Sequence, residues 1–195
     1  MKIAPGVDSG EWDGLNLTQD KGDWVKATKI FEERISARYI EPADLLMESD
    51  NKRNPVDRRY GFSIMAIDCL LIETLQSFKE GKTNTKNKSK SVFVNFLTQS
   101  DEFKAHFDEK QAERFYNEFR CGILHQAEVM GEALLWSVGM LKGKNLEGVP
   151  YINRTVFHEC VKKEVASYIG KLNNPENQVL RKNFINKMNF IARVE

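Results

Sequence analysis

Between Tyr60 and Phe78 the chain sets Ile64, Ile67, Leu71, Leu75 and Phe78 in one stripe at helical spacing, and Met65 and Ile72 widen that stripe. A helix apolar over so broad an arc must be covered from several sides, which predicts a central core helix with other helices packed around it. One residue breaks the arc. Asp68 sits between Ile64, Leu71 and Ile72, where an unpaired carboxylate is expensive, so it needs a partner. Either it orients an arginine of a functional site, Arg120 being the candidate, or it makes a structural hydrogen bond to a neighbouring helix or a tyrosine, which is the better supported reading. Glu73 is expected on the opposite, solvated face.

Around this helix the pattern predicts others. Asp23 is placed to cap a helix whose apolar positions are Trp24, Ala27, Phe31 and Ile35, ending near Tyr39, and Pro42 opens a short turn through Leu45 and Leu46. Gly81 is placed to end the central helix. A helix over about Ser91 to Thr98 follows, and Asp108 caps another that buries Ala112, Phe115, Tyr116, Phe119, Ile123 and Ala127. Beyond Gly131, the segments 133–138 and 149–152 bracket a turn with Gly143 and Gly148 and read as a small hairpin. Two amphipathic helices close the chain, with Phe157, Val161, Val165, Tyr168 and Leu172 in one and Leu180, Phe184, Met188 and Ile191 in the other, separated by Pro175. Residues 1–22 read as an irregular lead-in that Trp12 or Leu15 would dock. The expected fold is mainly α: a helical bundle over 23–130, then a hairpin and a carboxyl-terminal helical extension over 131–195 packed on the same domain.

Composition excludes several function classes. With 195 residues, 41% hydrophobic and a net charge of +1, the chain has the profile of a soluble globular protein and no global field for a polyanion. Cys69, Cys121 and Cys160 are odd in number, widely spaced and set in apolar helical patterns, which argues for reduced thiols in the cytoplasm. No segment is read as a signal peptide or membrane span, and His106 and His158 lack a second ligand at helical spacing, so no metal or other cofactor is expected.

The chemistry-bearing segment is Phe115-Tyr-Asn-Glu-Phe-Arg-Cys-Gly-Ile-Leu-His-Gln-Ala127, which places Arg120 five residues before His125. A histidine that moves a proton near neutral pH and a guanidinium that grips phosphate suffice to cleave RNA through its own 2′-hydroxyl. On a regular helix the two would lie about 140° apart, at roughly 100° per residue. To share a phosphate, either the arginine curls around, or the helix distorts near Gly122, or a second copy of the chain completes the site. A homodimer is the preferred expectation. The competing reading makes His125 a solvated surface residue and Arg120 a helix ion pair.

These residues resemble the HEPN domains, whose motif is Arg, four to six residues, then His, on a helix of a four-helix bundle. The resemblance extends to the aromatic and acidic run before Arg120, to Gly122-Ile-Leu124 before His125 and to the long apolar helix from Tyr60 to Glu73, and covers roughly residues 24–130. It implies a four-helix HEPN-like bundle and a metal-independent endoribonuclease of bacterial phage defence or toxin systems, acting across a dimer interface with an antitoxin or defence partner. Arg120 and His125 would be catalytic, with Cys121, Glu118 and Asp68 supporting. Cys121 stands where catalytic members often carry Asn, Asp or His, which favours the alternative of a catalytically silent bundle that binds RNA or a partner protein.

Two basic clusters could hold RNA phosphates: Arg53, Arg58 and Arg59 with Lys52 in one loop, and Lys82, Lys86 and Lys88 with Lys90 in another. A solvated charged face is the competing reading of each.

Overall fold

The computed structural model describes residues 2–18, 22–83 and 88–193 and is mainly helical with two small sheets. The lead-in differs from the irregular segment expected. Strands β1 (Lys2–Ala4) and β2 (Val7–Asp8) pair antiparallel, and α1 (Ser9–Asp13) follows at once. Asp8 and Glu11 form a reciprocal capping box that satisfies the first amides of this short helix. Trp12 does dock it, being buried and donating its indole N–H to Asn189 Oδ1 at 2.8 Å.

α2 (Trp24–Ile35), a π-helical segment (Ser36–Ile40) and α3 (Glu41–Asn51) form one continuous helical run, where the sequence suggested a helix and a separate turn. The reason is Pro42, which cannot supply an α-helical N–H and crowds the carbonyl four residues back. Wider i→i+5 bonding just before it relaxes both demands and lets the helix continue. Asp23 does not cap α2 with its side chain; its carboxylate accepts from the Asn16 amide and pairs with Lys26.

α4 (Gly61–Glu80) realises the apolar stripe, with Ile64, Met65, Leu71, Ile72, Leu75 and Phe78 inaccessible to solvent. Gly81 ends it at φ +66°, a left-handed conformation that suits a residue without Cβ. Contrary to the sequence expectation, α4 is long and apolar enough to cross a membrane by length and composition, yet its apolar face is spent inside the protein. Next come α5 (Ser89–Gln99) and α6 (Glu109–Phe115), the latter opened by an Asp108–Gln111 capping box. α6 continues through a second π segment (Tyr116–Cys121) into α7 (Gly122–Gln126).

Strands β3 (Leu134–Trp136), β4 (Lys142–Lys144) and β5 (Pro150–Asn153) form a sheet in the order β3-β5-β4. The expected hairpin between the first and last is corrected: β3 runs parallel to β5, and β4 makes the antiparallel pair. A glycine-bearing turn after β4 is short enough for a hairpin, whereas the longer path from β3 returns to the parallel edge. α8 (Arg154–Asn173) and α9 (Gln178–Arg193) complete the chain.

α3, α5, α8 and α9 all pack on α4. Phe31 meets Phe78, Tyr168 and Phe184 edge-on, and Phe115 stacks on Phe119 and Phe157, so the helices expected as an extension contribute to the same core cluster as the rest.

Candidate functional site

The helix of the Arg/His segment is distorted beside Gly122, one of the three routes by which Arg120 and His125 could share a phosphate. Its π segment includes Arg120 and Cys121 and ends immediately before Gly122. An i→i+5 turn holds more residues than an α turn, so each advances less around the axis than a regular helix would allow. Gly122 is needed for a second reason. A Cβ there would stand 2.5 Å from the Glu128 carbonyl oxygen and 3.0 Å from the Met130 amide nitrogen, because the chain folds back over the helix. That return begins at Ala127, whose φ of +55° ends α7. Ala127 is exposed, not buried as the periodicity suggested.

Arg120 is largely covered, with 14% of its side chain exposed, and its Nε donates to Glu73 Oε1 at 2.5 Å. Its guanidinium carbon lies 5.4 Å from the centroid of the Tyr116 ring. Burial works against the charge, but the bond and field of Glu73 outweigh it and hold Arg120 above its ordinary pKa. Glu73 is thus not the solvated residue expected; α4 aims it at the π turn, and its side chain is 12% exposed. Among the described residues neither Nη of Arg120 has a hydrogen-bond or ion-pair partner. The edge of the guanidinium that can fork onto an oxyanion is therefore uncommitted.

His125 is exposed in the last turn of α7, and no hydrogen bond or ion pair holds its ring among the described residues. Nor does one link it to Arg120. Cys121 is half-buried near Tyr116, whose phenol is raised chiefly by burial. Glu118 pairs with Arg114 at 2.7 Å and not with Arg120.

Asp68 is brought to a different partner. Its Oδ1 lies 2.6 Å from His158 Nδ1 on α8, both groups are inaccessible to solvent, and His158 Nε2 lies 3.3 Å from Asp44 Oδ1. The structural hydrogen bond to a neighbouring helix is the outcome, and the role of orienting Arg120 falls to Glu73. Sequence reading missed both pairings because each joins residues far apart in the chain. His158 did carry one signal: it stands three residues before Val161 and seven before Val165, in line with the buried positions of α8.

The basic clusters are partly spent. Arg53 approaches Asp50 at 3.9 Å, Arg58 donates to the Ser137 carbonyl at 3.4 Å, and Arg59 is exposed. Lys82 pairs with Glu80, Lys90 with Glu113, and Lys88 is exposed; Lys86 lies outside the described residues. Among the described residues no group of three or more His, Cys, Asp or Glu side chains is arranged to hold a metal ion.

Comparison with protein-family models, with curated proteins and with solved structures returned no match.

Proposed function

We propose that this chain is a metal-independent endoribonuclease resembling the HEPN type, cytoplasmic and homodimeric, serving in phage defence or a toxin system with a cognate partner protein. The observation that carries the reading is the state of Arg120: Glu73 clamps it through Nε and leaves its Nη edge uncommitted, five residues before an exposed, unpartnered His125. A π turn at that point is itself a feature that recurs at functional sites. In the reaction, the RNA 2′-hydroxyl attacks the adjacent phosphorus, the bond to the 5′-oxygen breaks, and a 2′,3′-cyclic phosphate and a free 5′-hydroxyl result. Arg120 carries the charge developing on the non-bridging oxygens, and His125 moves a proton at the 2′- or 5′-oxygen.

A second reading, a catalytically silent bundle that binds RNA or a protein, is favoured by the shallow exposure of Arg120 and by Cys121 in place of a polar residue. Incubation of purified protein with structured and single-stranded RNA in EDTA, beside Arg120→Ala and His125→Ala, decides between them. Cleavage that survives chelation and falls by about a hundredfold or more in each variant is expected. Equal cutting by all three proteins, or none, leaves the binding module.

A further inference from the structure

The loop before α4 and the strand β3 enclose a cleft of about 350 Å³, lined by Arg58, Arg59 and Arg154 and by Phe62, Leu135 and Trp136. None of its lining residues is acidic. Behind the cleft, Asp50 accepts from Arg154 Nη2 at 2.6 Å and from the backbone amides of Arg59 and Tyr60.

Two guanidinium nitrogens of residues that line this cleft have no hydrogen-bond partner among the described residues. Arg154 is 3% exposed, yet its Nη1 is buried and unpartnered; Arg58 Nε is in the same condition. Buried guanidinium nitrogens are seldom left unpaired, because desolvation without a bond is costly, and an anionic oxygen satisfies two of them at once. The backbone makes room for the arrangement. At Gly61 a Cβ would lie 3.2 Å from both Arg154 Cδ and Leu135 Cδ2, a tight contact, so the glycine gives Arg154 room against the start of the helix. The N-terminus of α4 carries no side-chain cap there, adding the positive end of a 20-residue helix. The same cleft is lined by Trp136, which keeps 38% of its surface exposed, and by Phe62 and Leu135, so an apolar surface accompanies the arginines.

We propose that this cleft binds a phosphate monoester carried on a flat apolar body, the chemistry of a mononucleotide, either free or at the end of an RNA strand. Arg58 and Arg154 take the phosphate oxygens, Arg59 closes the rim, and Trp136 lies against the ring. The site is separate from Arg120. Glu73 lies twelve residues further along α4 than Gly61, about 18 Å at the rise of a helix. Neither the RNase reading nor its failure decides this one.

Isothermal titration calorimetry of the full chain with AMP, adenosine, inorganic phosphate and a short oligoribonucleotide bearing either a 5′-phosphate or a 5′-hydroxyl tests the proposal. AMP or the 5′-phosphorylated oligomer is expected to bind at least tenfold more tightly than its unphosphorylated counterpart and than phosphate alone. Binding of AMP identifies a free nucleotide, and binding of the oligomer without AMP identifies an RNA end. Arg154→Ala breaks a buried ion pair and can unfold the chain, so the deciding variants are Arg58→Gln and Trp136→Ala. Each should weaken binding about tenfold or more, with the circular dichroism of the folded protein retained, while Arg120→Ala and His125→Ala should keep the wild-type preference for the 5′-phosphorylated over the 5′-hydroxyl probe. Undiminished binding by Arg58→Gln, equal affinity for phosphate and AMP, or no binding of any phosphorylated probe at millimolar concentration overturns the proposal.

Discussion

His158 and Asp68 share a hydrogen bond of 2.6 Å at a place that no solvent reaches, joining α8 to the middle of the central helix. Burial pushes the Asp68 carboxyl up to about 6 although His158 opposes the rise. Burial lowers the imidazole, but the bond and field of Asp68 outweigh it and leave His158 above its ordinary value. Both folded-state values exceed the unfolded ones, so the folded chain holds protons that the unfolded chain has released. The associated stability is present in full below about pH 4 and is lost as pH rises, for Asp68 through about 6 and for His158 above its ordinary value near 6.5.

Urea unfolding of the wild type and Asp68→Asn from pH 4.5 to 7.5 should therefore give curves that diverge. The wild type should lose about 2 kcal/mol more than the variant across that range, the part of a roughly two-unit pKa shift that falls above pH 4.5. Parallel curves would show that the pair does not titrate as described.

Glu73 supplies the carboxylate that holds Arg120, and both side chains are mostly covered. Glu73→Gln keeps the shape and removes the charge, and should cost about 1–2 kcal/mol in chemical denaturation because a charge-assisted bond is weakened in a part-buried setting. An unchanged midpoint would mean that the pair is a surface contact of little worth.

The dimer reading can be separated from catalysis within one chain by mixing. Arg120→Ala and His125→Ala, each expected to be inactive alone if the proposed function holds, are unfolded together and refolded as an equal mixture. If one copy lends the arginine and the other the histidine, about half of the dimers are mixed and each restores one of two sites, giving roughly a quarter of wild-type cleavage. A mixture as inactive as its components would place both residues of a working site in the same chain.

Asp50 anchors the carboxyl end of α3 to Arg154 and to two amides of the following loop. Burial opposes its ionisation, but those donors hold its carboxyl below the ordinary value. Asp50→Ala leaves Arg154 buried without a counter-charge and should destabilise by about 3–5 kcal/mol, with part of the loss recovered when Arg154→Met is added. Thermal denaturation of the two variants checks it; an Asp50→Ala chain that melts with the wild type would remove the anchor.

Gly122→Ala should also destabilise, by about 1–3 kcal/mol, although alanine normally favours a helix over glycine. The added methyl meets the backbone at 128–130, which has no flexible end to move aside. A variant more stable than the wild type in urea would contradict that close approach.

Periodicity made the helical content legible. The stripe Ile64 to Phe78, the Asp108 cap and the terminal Gly81 are local features, and the structure keeps all three. What escaped depends on contacts across the chain or on departures from a 3.6-residue turn. Glu73 looks solvated on a wheel because the wheel does not show that another helix crosses there. Asp68 announced the need for a partner but not its address, ninety residues away on α8. The parallel β3–β5 pairing was hidden because an apolar run does not state its direction. Neither π segment has a signature in hydrophobic spacing, although Pro42 marked where one was required.

The second π segment makes the register of the Arg/His helix sensitive to residues outside the motif. A π turn amounts to an α turn carrying one residue too many. Losing a single codon between Tyr116 and Phe119, with every letter from Arg120 to His125 intact, would let the helix close into regular bonding with its flanking turns nearly in place, but without the widened turn that carries Arg120 and Cys121. Arg120 would then return to the regular-helix separation of about 140° from His125. What inheritance must preserve here is a length of coding sequence upstream of the motif as much as the motif itself.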